Sequence, residues 1–128
     1  MWGLYLLVGL GSALGGMARF WLSVTLSRHA EVLMPLATLT ANVTGSFLIG
    51  FMASAGAEGQ RFALSHAQRT FLLVGVLGGY TTFSSFSLQT LEMMRDGLWL
   101  MAGLNVVASL GFCLLGVAMG YGLGQWLR

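Results

Sequence analysis

The sequence predicts an all-α membrane protein with four transmembrane helices, and three observations carry that prediction. Of its 128 residues, 56% are hydrophobic and only 8% charged, with a mean hydropathy of +0.80. A soluble domain is about 25% charged, so this chain could not cover a water-facing surface, and a soluble globular enzyme is excluded. The charges also fall into the gaps between four apolar runs, each near the roughly 20 residues that cross a bilayer. Nineteen glycines accompany a single proline, a balance suited to closely packed membrane helices. The alternation of barrel strands is absent, and the length allows one domain, 1–128.

The first span is expected over about 2–26, closed by Ser27-Arg28-His29-Ala30-Glu31. Its start, Met1-Trp2-Gly3, has neither a basic leader region nor a cleavage site, so the span is expected to be retained. The second span covers about 34–57, with Pro35 suited to a first helical turn. Glu58-Gly59-Gln60-Arg61 then interrupts the apolar run, and a polar linker continues to Arg69. The third span covers about 70–94 and stops at Arg95-Asp96-Gly97. The fourth covers about 98–127, with Trp99 and Trp126 placed like interfacial anchors.

All six basic residues are arginines, set against four acidic ones. No basic run exists to follow a phosphate backbone, so nucleic acid is not an expected partner. With a cytoplasmic N-terminus, Arg61, Arg69 and Arg128 lie inside and Arg28 and Arg95 outside, with Arg19 deeper in the first span. Basic residues orient membrane proteins, and here their bias is close to zero. Two readings follow: an orientation fixed by other means, or insertion in both orientations, which allows an antiparallel dimer.

Polar groups in hydrocarbon are costly and call for a partner or a role. In the second span Thr38, Asn42 and Gly45 share one face at i, i+4, i+7 spacing. Asn42 is read either as an interhelical hydrogen bond or as a functional donor. The third span contains Gly75-Val-Leu-Gly78-Gly79-Tyr80-Thr81-Thr82-Phe83-Ser84-Ser85-Phe86-Ser87, with six hydroxyl-bearing residues within eight positions. Paired glycines before β-branched threonines make a poor helix, so a break is expected around Gly78 to Thr82. Such backbone at membrane depth must be buried or line a polar cavity, and its freed carbonyls can hold a cation. The alternative is a glycine kink whose serines bond back to their own helix.

Phe83 and Phe86 share a face beside this hydroxyl track. Such pairs are ordinarily packing, yet a phenyl ring has an electropositive edge that can meet an anion without a fixed charge. In the fourth span Asn105, Ser109 and Cys113 form a weak polar stripe. Gly116-xxx-Gly120-xxx-Gly124 there, and Gly11-xxx-Gly15 in the first span, favour close helix approach. Arg19 has three readings: snorkelling, capping the Gly15-Gly16 region, or pairing with carbonyls at a helix break. His29 and His66 have no nucleophile or carboxylate arranged around them, and the lone Cys113 supports neither a disulfide nor a Cys/His metal site. No enzyme chemistry is expected.

Three stretches resemble the CrcB/Fluc fluoride channels: Gly15-Gly16-Met-Ala-Arg19-Phe20, Thr38-Leu39-Thr40-Ala41-Asn42-Val-Thr-Gly45-Ser46-Phe47, and the segment from Gly75 to Ser87. The third is the most specific, and the resemblance extends over the whole chain in length and span count. It implies a dual-topology antiparallel homodimer with two pores in the inner (plasma) membrane, exporting cytoplasmic fluoride passively. Asn42 would contact the ion, Phe83 and Phe86 would line its path edge-on, and Thr38 and Ser109 would belong to a hydroxyl track. The main-chain carbonyls of Gly78 and Thr81 would bind a structural sodium ion, Na+, at the dimer centre. Arg19 would be structural. Four positions depart from the family pattern: Phe20 for Tyr, Ala37 for Gly, Gln89 for an acidic residue and Asn105 for Tyr.

Two other functions fit four small helices. A proton-coupled multidrug exporter needs a membrane-embedded carboxylate, and no acidic residue lies in a span centre; Glu92 is near the end of the third. A non-transporting scaffold explains the glycines and leaves the polar segment Gly78 to Ser87 without a purpose. Fluoride is small and strongly hydrated, and a path lined by amide, hydroxyl and ring-edge donors replaces its water. Fixed cations in that path would trap it, whereas conduction needs binding weak enough for exit.

Overall fold

The computed structural model describes residues 1–29 and 35–127, and these are almost entirely helical. In chain order the elements are α1 (Trp2–His29), α2 (Leu36–Ala55), α3 (His66–Arg69), a π-helix π1 (Thr70–Leu77), α4 (Gly78–Tyr80), α5 (Phe83–Arg95) and α6 (Trp99–Trp126). Four stretches, Trp2–Arg28, Leu36–Ala55, His66–Arg95 and Trp99–Trp126, are long and apolar enough to cross a membrane. The expected span start at Met34, the Ala30-Glu31 end of the first polar cluster, and Arg128 lie outside the described residues.

Two corrections concern the helix ends. Pro35 precedes α2 rather than occupying its first turn, with φ −76° and ψ 71°. The third span starts earlier than Thr70. Ser65 caps α3 by accepting the Gln68 N–H at 3.3 Å, while the Gln68 side chain accepts the Ser65 N–H at 2.9 Å. This reciprocal capping box satisfies two otherwise orphan donors and begins the helix inside the polar linker. At the other end Gly97, at φ +77°, turns the chain from α5 into α6; only glycine takes that conformation without strain.

Helix pairing follows the glycines. α2 packs most extensively on α6, and α1 on π1 and α4. A Cβ on Gly120 would run into the Phe47 carbonyl, and one on Gly15 into the Val76 carbonyl. The backbones therefore touch where the GxxxG spacing places them. Large apolar side chains point outward instead: Trp2, Phe20, Leu100 and Val107 are all exposed. No more than 22% of any span's most apolar window is buried, which suits a lipid-facing surface or a partner chain rather than water.

The third span departs from α-helical geometry in two ways. Thr70–Leu77 is wound as a π-helix, a form that in proteins frequently marks functional sites. Helical backbone then continues through Gly78, Gly79 and Tyr80, and only Thr81 (ψ 157°) and Thr82 (φ −153°, ψ 117°) are extended. The non-helical backbone is therefore confined to the two threonines, narrower than the expected range from Gly78. Gly79 serves contact rather than unwinding: a Cβ there would meet the Ser12 backbone at 2.5 Å.

Candidate functional site

Side chains from α1 and α2 hold the extended pair on several sides. Asn42 accepts the Thr82 N–H at 2.7 Å and donates to the Thr82 C=O at 2.9 Å. Gly45, one turn further along α2, leaves room for Thr81, whose Cγ2 methyl would collide with any added Cβ. The Tyr80 hydroxyl lies 3.0 Å from the Thr44 hydroxyl. From α1, Arg19 Nε donates to the Gly79 C=O across 3.4 Å. Of the three sequence readings of Arg19, the geometry matches pairing with a carbonyl beside the break.

Carbonyls of the preceding turn lose their helical donors at this point, those of Gly78 and Thr81 among them. In a continuous α-helix the Thr82 N–H would bond the Gly78 C=O and the Ser85 N–H the Thr81 C=O. Here the first goes to Asn42 Oδ1 at 2.7 Å, and the second to the Thr82 hydroxyl at 3.2 Å, which caps α5. Gly78 and Thr81 thus present hard oxygen acceptors freed from the helix ladder, the donor set that broken membrane helices use for small cations. Main-chain oxygens of this kind are chemically compatible with a hard cation. Among the described residues no group of His, Cys, Asp or Glu forms an alternative metal site.

Beside the break lies a cavity of about 360 Å³. Its lining includes Asn42, Gly45, Ser46, Gly78, Thr81, Thr82, Phe83, Phe86, Ser109 and Cys113, and no charged side chain. Asn42, Phe83, Phe86 and Ser109 are therefore brought together with the carbonyl-bearing Gly78 and Thr81. Thr38 is not among them: it is buried on α2, one turn before Asn42, and does not line the cavity. Helical spacing places it on the right face but at a different depth along the axis.

The two rings differ in setting. Phe83 is 72% exposed and Phe86 8% exposed, with centroids 5.2 Å apart and planes tilted by 50°. Phe86 sits in the wall of the cavity and Phe83 at its outer side, where the chain leaves it uncovered. From α6, Ser109 and Cys113 line the cavity, whereas Asn105, the first member of that polar stripe, is fully buried and donates to the Thr90 hydroxyl at 2.9 Å. Sequence reading did not identify Thr90, Thr44 or Tyr80 as partners. Thr90 carries a signal in hindsight, since it lies four residues after Phe86 on the same α5 face.

A family model described as CrcB-like protein, Camphor Resistance (CrcB), matches residues 6–121. The chain belongs to the CrcB family. It is 50% identical over 117 residues to the fluoride-specific ion channel FluC of Paramagnetospirillum magneticum, covering 91% of each chain. It is similarly 51% identical over 118 residues to a protein of that name from Opitutus terrae (92% of this chain, 89% of the relative). A FluC from Methylocella silvestris is 50% identical over 118 residues, covering 91% and 89%. With four helices able to span a bilayer, this CrcB-family chain is a multi-pass membrane protein.

Proposed function

We infer that the chain is a fluoride-specific ion channel of the plasma membrane, a conduit rather than an enzyme, through which cytoplasmic fluoride leaves passively. The observation that carries this reading is the 50% identity to named fluoride channels across 91% of both chains. The cavity chemistry supports it. The lining is mostly apolar, with the Asn42 amide, the Ser46 and Ser109 hydroxyls and two phenyl rings set into it and no fixed charge, so an anion can exchange part of its hydration for weak contacts and still leave. In this role Asn42, which has two amide hydrogens and donates one to Thr82, offers the other to the ion. Phe83, Phe86 and Ser109 form the path, and Thr38 acts one turn away, from within the helix packing.

The working unit in this reading is an antiparallel homodimer with the third span broken mid-membrane and two pores. Support comes from the nearly balanced arginines on the two sides, and from Phe83, a cavity residue 72% exposed in the single chain. Gly78 and Thr81 from each of two copies would hold a sodium ion between them. When bound, that ion neutralises carbonyl dipoles that lipid cannot satisfy.

The test is ion release from liposomes containing the purified protein. Fluoride efflux much faster than chloride efflux, without a proton gradient, is the expected result. Equal release of both anions, or a strict requirement for protons, overturns the reading.

A further inference from the structure

We propose that Asn105 is a positioning residue for Phe86, acting through the hydroxyl of Thr90. Helix α5 enters the protein body along one stripe, its buried residues being Phe86, Thr90 and Met93. Facing it, α6 buries Ala102, Asn105 and Ser109. Asn105 is 1% exposed and, among the described residues, is the largest side chain buried completely. Its Nδ2 donates to Thr90 Oγ1 at 2.9 Å, and Thr90 Oγ1 donates to the Phe86 C=O at 2.7 Å.

The order of donors matters. A hydroxyl has one proton, and here Thr90 commits it to the Phe86 carbonyl, which leaves its lone pairs to accept from Asn105. The three groups thus form a directed chain from the interior of α6 to the backbone of the ring-bearing residue. Thr90 alone would make only a bond within its own helix, of the kind that bends helices without locating them. The bond from Asn105 ties that turn of α5 to α6, and Ser109, one turn beyond Asn105, lines the same cavity as the Phe86 ring. A ring that meets an anion by its edge is sensitive to rotation, since its face carries the opposite sign. The Asn105 strut therefore sets which part of Phe86 the cavity presents.

This inference rests on Phe86 being part of the fluoride path, and the experiment separates the two ideas. In liposomes, Asn105→Leu and Thr90→Val are each expected to lower fluoride release roughly threefold to tenfold, the range an interhelical hydrogen bond spans. Thr90→Ser, which keeps the hydroxyl, is expected to conduct like the parent. The deciding measurement is a double-mutant cycle: in a Phe86→Ile background, Asn105→Leu is expected to cause no further loss of the release remaining above protein-free liposomes. An equal loss in both backgrounds, or a Thr90→Ser variant as impaired as Thr90→Val, overturns the proposal. If Asn105→Leu does not fold, the Thr90 pair in both backgrounds decides. If the parent passes no fluoride, the proposed function falls instead. The strut is then read from deuterium NMR of ring-labelled Phe86, where faster ring flipping in Thr90→Val supports it and an unchanged rate refutes it.

Discussion

The carboxamide of Asn42 pairs with both polar atoms of the Thr82 backbone, at 2.7 Å and 2.9 Å. A single side chain thereby serves as a substitute peptide group, occupying the N–H that would otherwise close the helix onto Gly78. The helix interruption and the identity of residue 42 are coupled. An aspartate is close in shape but has no hydrogen to give the Thr82 carbonyl.

Asn42→Asp is therefore expected to fail twice. It sets two acceptors against each other at the break, destabilising by about 1–3 kcal/mol, and it places a carboxylate on the cavity wall. Fluoride release should fall about a hundredfold, with a lower unfolding temperature in detergent. Normal flux from this variant would show that the amide is dispensable.

The two phenylalanines separate conduction from packing. Phe83→Ile and Phe86→Ile both remove a positive ring edge and are expected to reduce fluoride release about tenfold or more. Their stabilities should differ: Phe86 is buried and its replacement costs on the order of 1 kcal/mol, whereas Phe83 is mostly exposed. Thermal unfolding and flux on the same preparations check both parts. Unchanged flux from both variants would make the rings packing groups only.

Neighbouring glycines in α1 give a steric contrast. Gly15→Ala drives a methyl into the Val76 carbonyl, while Gly16→Ala meets nothing within 4 Å in the single chain. The first is expected to cost at least about 1–3 kcal/mol and to reduce the yield of folded protein. The second should express and unfold like the parent; a large loss there would reveal a partner surface over Gly16.

The carbonyls of Gly78 and Thr81 predict a dependence on cation size. Exchanging sodium for a large organic cation should lower both the dimer's unfolding temperature and its flux. Thr81→Ser, which leaves the main-chain oxygen and the side-chain bond to Leu77 available, should have little effect. Stability and flux indifferent to the exchange, after prolonged dialysis, would count against a bound ion.

The proposed insertion in both orientations rests on the arginine balance. Reporters fused to the C-terminus should be active on both sides of the membrane, and lysines added to the linker before His66 should favour one side. A single orientation in the unmodified chain would contradict the antiparallel pairing.

Hydropathy and charge spacing were enough to read four helices, because lipid imposes a length and a polarity on each span. The GxxxG contacts were legible for the same reason: small residues at fixed spacing have few other uses in a bilayer. The group Asn42, Phe83, Phe86 and Ser109 was implied by the family resemblance; from the residues alone only Asn42 and Ser109 stood out, as polar groups where lipid disfavours them, and the two rings read as ordinary packing. What local pattern concealed was set by tertiary contact. Gly78 and Gly79 have weak helix propensity, yet both stay helical, with Gly79 packed against Ser12. The break moves instead to Thr81 and Thr82, where Asn42 supplies substitute bonds. The Ser65-x-x-Gln68 pattern was present in the chain, but its polarity made it read as linker.

The π-helix at Thr70–Leu77 has a consequence for how this chain tolerates change in length. Within it, Phe71, Gly75 and Val76 pack their backbone against Gly11 and Gly15 of α1; downstream, Phe83 and Phe86 line the cavity. The residues between Val76 and Phe83 set the phase between these two fixed registers. Removing one residue from the α-helical turn Gly78–Tyr80 would turn everything after it by about 100°. Side chains on the outer face of the π-helix, such as Val74 at 58% exposure, are free to vary in kind. The number of residues between Gly75 and Phe83 is not free, so length rather than chemistry is the constrained quantity in this stretch.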